Sequence, residues 1–248
     1  MDGREQWTCC ECTIFGLSLH RFFGLSGKIS LSHCPRRGAA GSTTRYKMTV
    51  RTSTIPAYFE IVKENVEKIA SVEEQIRALN DRIAGVVPED ESLAMEHELA
   101  SLDDSLSKYS LIVILFTVTA LEAYIYDYAA RHFSDTYAEK FLDKLNIIGK
   151  WVVVPRLVTG RELPRSRKWF SLMKDIVEAR NKIVHSKSSG PSVDKDTISY
   201  LKNIQSRENQ FAKSARQSAE LLKLLVDEMS ILDPDETIWI ESYFVRTP

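Results

Sequence analysis

The chain has 248 residues, with 33 Lys/Arg against 34 Asp/Glu. This near-neutral total hides a division: residues 1–47 hold all four cysteines and seven Lys/Arg against three Asp/Glu, whereas residues 48–248 hold no cysteine and 26 Lys/Arg against 31 Asp/Glu. The larger part is long enough for one core without covalent staples, and the lack of thiols there excludes a disulfide scaffold or a thiolate metal cluster.

Two domains are therefore expected: a leader, 1–47, and a body, 48–248. The leader shows no period. His20 and Arg21 interrupt its apolar stretch Ile14–Leu25, which spoils a secretory core. Its Ser/Thr-rich, basic composition after Thr13 would suit an organellar transit peptide. Cys9, Cys12, His33 and Cys34 can be written as a zinc set, although adjacent ligands at 33 and 34 lack the usual loop spacing. The favoured reading is a disordered or mis-assigned leader with Met48 as the natural first residue.

The body reads as all-α, an up-and-down bundle of long helices. Ile55, Phe59, Val62, Val66, Ile69, Val72, Ile76, Leu79 and Ile83 step by threes and fours, which predicts one amphipathic helix ended by Gly85 and Pro88. A second helix starts at Glu89–Glu91, where acids suit the positive end of the helix dipole. Its stripe runs through Leu93, Leu99, Leu102 and Leu106. The two should form an antiparallel hairpin. The longest uncharged run of the body, Tyr109–Leu121, is thirteen residues, too short for a bilayer span. It predicts a helix buried on every side. Ser134 is placed to cap a short helix over 135–145. Gly149, Pro155, Gly160 and Pro164 interrupt the next stretch, with Val152–Val154 a candidate extended segment. Pro164 then suits the first turn of a helix reaching Val184 or His185. A last helix is expected from about Asp194 to Leu232, stopped by Pro234, followed by a candidate edge strand.

The helix over 169–185 carries a charge where none belongs. At 100° per residue, Trp169, Met173, Ile176, Val177 and Val184 share one side, and Arg180 falls among them. Asn181 and His185 share the edge of that sector. An arginine on an apolar stripe needs a partner. Glu122, the only charge between Tyr109 and Tyr126, is the obvious one, so a buried Arg180–Glu122 pair is a structural explanation. The surrounding segment, 150–187, has ten Lys/Arg against three Asp/Glu, whereas residues 48–149 have nine against eighteen. Positive charge concentrated in this way is a footprint for phosphate, with Arg165, Arg167, Lys168 and Lys187 as candidate RNA-binding residues; a solvated face balancing acidic neighbours would look the same.

Arg180-Asn181-Lys182-Ile183-Val184-His185 resembles the R-x4-6-H signature of the HEPN superfamily, with the frequent Asn directly after the Arg. Ala120-Leu121-Glu122-Ala123-Tyr124 resembles the Glu-Ala-aromatic helix of many of its members. The similarity spans 55–232. It implies a helical bundle that dimerises, with Arg and His of two protomers meeting in a metal-independent endoribonuclease that needs no cofactor. Arg180, Asn181 and His185 are then the catalytic positions and Glu122 a supporting one. The partners implied are RNA, a second copy of the chain, and an antitoxin or defence partner, with a toxin or phage-defence role; the setting implied is the cytoplasm, without a membrane. In the branch paired with nucleotidyltransferase antitoxins a Tyr follows two places after the His. Lys187 stands there in this chain, which departs from that pattern.

These residue types suit internal attack on RNA. A base must take the 2′-OH proton, an acid must protonate the leaving 5′-oxygen, and a cation must stabilise the crowded phosphorane. Histidine serves as base or acid near neutrality, and arginine offers a planar fork to phosphate oxygens. Asn181 could orient His185 or the phosphate. Two-fold symmetry would gather two Arg and two His in one groove. The alternatives are a non-catalytic module of the same fold that binds RNA or nucleotide, and a structural helical dimer built on the Arg180–Glu122 pair. No His-Glu-x-x-His or Gly-rich phosphate motif occurs in the body, and His97 and His132 read as surface or structural residues.

Overall fold

The computed structural model describes residues 28–29, 50–51, 54–85, 88–185 and 197–236. Two units separate at Thr54. In the first, Met1–Thr54, a two-residue strand β1 (Lys28–Ile29) pairs antiparallel with β2 (Val50–Arg51), Lys28 opposite Arg51. The candidate zinc residues Cys9, Cys12, His33 and Cys34, the residue Lys187 and the expected strand after Glu236 lie outside the described residues.

The second unit is an all-α bundle. Helix α1 (Ile55–Ile83) buries Ile55, Val62, Ile69, Val72 and Leu79 along its stripe. It packs along α2 (Glu89–His132), a helix of 44 residues. At 1.5 Å per residue α2 is about 66 Å long against about 44 Å for α1. The remaining helices pack on α2 as well. A short helix α3 (Asp135–Tyr137) is capped by Ser134, whose Oγ accepts from the Tyr137 amide at 3.2 Å, and it passes directly into a π-helical turn, Ala138–Leu142. Then come α4 (Ile147–Thr159), α5 (Lys168–Val184) and α6 (Thr197–Leu232), closed by a 3-10 turn at Pro234–Glu236. Helix α6 packs on α2 and α5, while α4 and α5 pack on α2.

Four expectations need correction. Val152–Val154 is helical, not extended. Asn146 caps α4 by accepting the Gly149 amide at 2.7 Å, and Gly160 closes it at φ 74°, so both glycines mark helix ends and only Pro155 lies inside. The next helix starts at Lys168 and not at Pro164, whose carbonyl instead accepts the Arg167 amide and the Trp169 indole N–H. The apolar run of α2 is not buried on every side. Val113, Ile114, Thr117, Val118, Ala120 and Leu121 are buried, but Leu111, Ile112, Leu115 and Phe116 are half-buried and Thr119 is exposed. Leu93 faces solvent and Met95 takes its place in the core. An 18-residue window within Asp90–His132 is apolar enough by composition to cross a membrane (mean hydropathy 1.7), and half of it is buried by the other helices.

The far end of α2 is fastened by a polar clamp. Arg131 makes two hydrogen bonds to Glu236, at 2.7 and 2.5 Å, and one to Asp127 at 2.8 Å. The Tyr124 hydroxyl donates to Glu236 at 3.1 Å, and that of Tyr128 donates to Asp233 at 2.7 Å. Glu236 is only 3% exposed, and a buried carboxylate is tolerated because each oxygen is hydrogen-bonded to a donor. Burial raises both phenols above their ordinary range, and the adjacent carboxylates add to the effect. Burial works against the charge on Arg131, but Glu236 and Asp127 more than offset it and hold the group protonated. Tyr124 also stacks on Trp151 at 5.6 Å, which ties α4 to the same place.

Candidate nucleic-acid interface

Helix α5 follows the 3.6-residue period. Trp169, Leu172, Met173, Ile176, Val177 and Ala179 are buried. The next inward positions are Arg180 and Val184, and there the core runs out. Arg180 is half-buried and Val184 is 52% exposed, although both continue the inward stripe. In the last turn of α5 Ile183 still packs against the core, while Asn181, Lys182, Val184 and His185 face solvent and overhang it. Half-buried at this edge, Arg180 has no carboxylate partner among the described residues.

Among the described residues the side-chain partner of Arg180 is Asn181, whose Oδ1 accepts from Nη1 at 3.1 Å. The expected Arg180–Glu122 pair does not form. Glu122 is half-exposed and sits 3.4 Å from the ammonium of Lys150, which is 2.6 Å from Asp143. The side chain of Lys150 is only 4% exposed, so its stem fills space between α4 and α2 while its tip reaches two outer carboxylates. Lys150 is the buried cation among the described residues of this bundle. Its place between Ile147 and Val154 on one helical face was a usable signal, hidden when 152–154 was read as extended.

Asn181 and His185 are exposed, and the His185 amide donates to the Asn181 carbonyl at 2.9 Å to close the helix. Arg180 and His185 are five positions apart, so their side chains leave the axis about 140° apart. The motif therefore comes out at one helix end, with arginine and histidine on different sides of it.

The flanking basic residues are mostly committed. Arg167 bonds Glu228 of α6 at 2.6 Å, Lys168 pairs with Glu220, and Arg165 lies 4.0 Å from Glu162, which also pairs with Arg156. Arg161 donates to the Leu232 carbonyl at the end of α6. Glu228 is 9% exposed, so drawing Arg167 away would leave a nearly buried carboxylate unpaired. Much of the local positive charge thus joins α5 and its approach to α6. Lys174 is different: its ammonium lies 5.9 Å from the centre of the Phe170 ring. Among the described residues no three His, Cys, Asp or Glu converge to hold a metal ion.

The chain matches no family model, no curated protein and no solved structure.

Proposed function

We propose that this protein is an RNA-directed, HEPN-like module that cleaves RNA without a metal ion, using Arg180 and His185 at a site composed by two copies of the chain. The observation that carries the reading is the overhanging last turn of α5. It presents Asn181 and His185 at the bundle surface and the half-buried Arg180 on another side of the same helix end, with no carboxylate on the guanidinium among the described residues. A structural role for Arg180 through Glu122 loses its support, because Glu122 is engaged by Lys150.

In the proposed reaction one His185 takes the 2′-OH proton, and the 2′-oxygen attacks phosphorus. The 5′-oxygen leaves with a proton from the second His185. Products are a 2′,3′-cyclic phosphate and a 5′-hydroxyl. Arg180 holds the phosphate oxygens, where charge grows, and Asn181 steers the guanidinium. The splay of Arg180 and His185 around the helix is the reason for drawing the pair from two protomers.

The test is incubation of the full chain with mixed RNA in EDTA, beside Arg180→Ala and His185→Ala forms that retain the parent's helical melting curve. Cleavage by the parent and loss of at least about a hundredfold in either variant is expected. Absence of cleavage by the parent on any RNA tested overturns the nuclease reading.

A further inference from the structure

Beyond the helix end, one line of α5 has the residue types that contact single-stranded nucleic acid. At 100° per residue Phe170, Lys174, Asn181 and His185 fall within about 60° of one another. Phe170 is half-buried and packed against the core, which holds the ring in place, and it meets Trp169 edge-on, 5.3 Å between centres at 79°. Lys174 is exposed, with its ammonium over that ring. No acidic residue lies within the line. The nearest, Glu178, is held by Lys182 at 2.9 Å.

We propose that Phe170 and Lys174 form a base-and-phosphate subsite for single-stranded RNA that runs along α5 toward Asn181 and His185, an inference that rests on reading that helix end as RNA-facing. Phe170 lies about 16 Å up the axis from Asn181, so an extended strand of several nucleotides reaches both and a dinucleotide at His185 does not. The ring supplies a fixed stacking face, which every base can use. The ammonium, on its flexible four-carbon stem, swings from the ring to the phosphate beside the stacked base. A base paired in an A-form duplex has no free face, so the subsite selects unpaired RNA.

The experiment measures fluorescence anisotropy of a 2′-O-methyl RNA of about ten nucleotides, which binds but cannot be cleaved. It compares the full-length parent with Phe170→Leu, which keeps apolar packing against Trp169, and with Lys174→Ala, which removes no core atom. Each variant is expected to bind about three- to tenfold more weakly than the parent. Cleavage of a dinucleotide by the parent is expected to be unchanged in both. Equal binding by parent and both variants, or no binding by the parent, overturns the subsite. Weakened binding in the variants with no cleavage by the parent leaves the subsite standing and sinks the nuclease reading. Cleavage that depends on His185 with unaltered binding in the variants does the reverse.

Discussion

At the scale of single residues, the two cations that matter most exchange expected roles. Arg180 looked like a charge needing burial with Glu122, and Lys150 like one more basic residue of a patch. In the fold Lys150 is enclosed and takes Glu122, while Arg180 reaches solvent. Periodicity placed Arg180 on the inward stripe correctly, but a wheel has no information on where the neighbouring helices stop. The clamp on α2 escaped notice for a related reason. Tyr124, Tyr128 and Arg131 sit at helical spacing, yet their partners Asp233 and Glu236 are more than a hundred residues away. Glu236→Ala leaves the guanidinium of Arg131 with Asp127 but without its bidentate partner. A loss of about 3 kcal/mol in urea unfolding is expected, with most of it recovered in the Arg131→Met/Glu236→Leu double variant. A double variant no more stable than Glu236→Ala would show that the clamp's worth is not in that ion pair.

At the scale of elements, the long helices were legible because a stripe of thirty residues overwhelms local noise. α1 runs from Ile55 to Ile83 as its stripe and Gly85 require, and α6 ends before Pro234. The short elements were less so. Gly149, Pro155 and Gly160 read as breaks, but a glycine one turn inside an Asn-capped start and another just past the end are helix punctuation. The junction of α5 and α6 shows how charge clustering misleads: Arg167 and Lys168 raise the local positive count, yet both reach across to α6. Their bonds differ in depth. Arg167→Gln strands the 9%-exposed Glu228 and is expected to cost about 1–2 kcal/mol in thermal or urea unfolding. Lys168→Gln breaks a pair open to water and is expected to cost less than about 0.5 kcal/mol. Equal, negligible losses with weakened RNA binding would instead make Arg167 a phosphate contact.

At the scale of the whole molecule, an all-α bundle follows from composition and period, whereas the proposed activity rests on a short motif and, as proposed, on a second copy of the chain. The sequence shows that Arg180 and His185 are five apart; it does not show that the end of α5 outruns its neighbours. Composite assembly has its own test. Arg180→Ala and His185→Ala chains, each inactive alone, are unfolded together, refolded as a mixture and assayed on RNA. A mixed dimer has one intact Arg180 facing one intact His185 and lacks the second His185, whose proton transfer falls to water, so recovery to a small fraction of the parent's cleavage is expected. No recovery, with mixed dimers present by native mass spectrometry, would place both residues in a single-protomer site.

The overhang of α5 also bears on local stability. Its last turn is held to the core by the half-buried Ile183 while Val184 and His185 are exposed, so it can open while the core behind Trp169 and Ile176 stays intact. Hydrogen exchange at the amides of the last turn is then governed by fraying of one helix end and not by global unfolding. Any partner that seats on this turn must hold it closed, and the free energy it spends doing so no longer counts toward affinity. A partner seated here would bind more weakly than its contacts alone suggest and would be correspondingly easy to release.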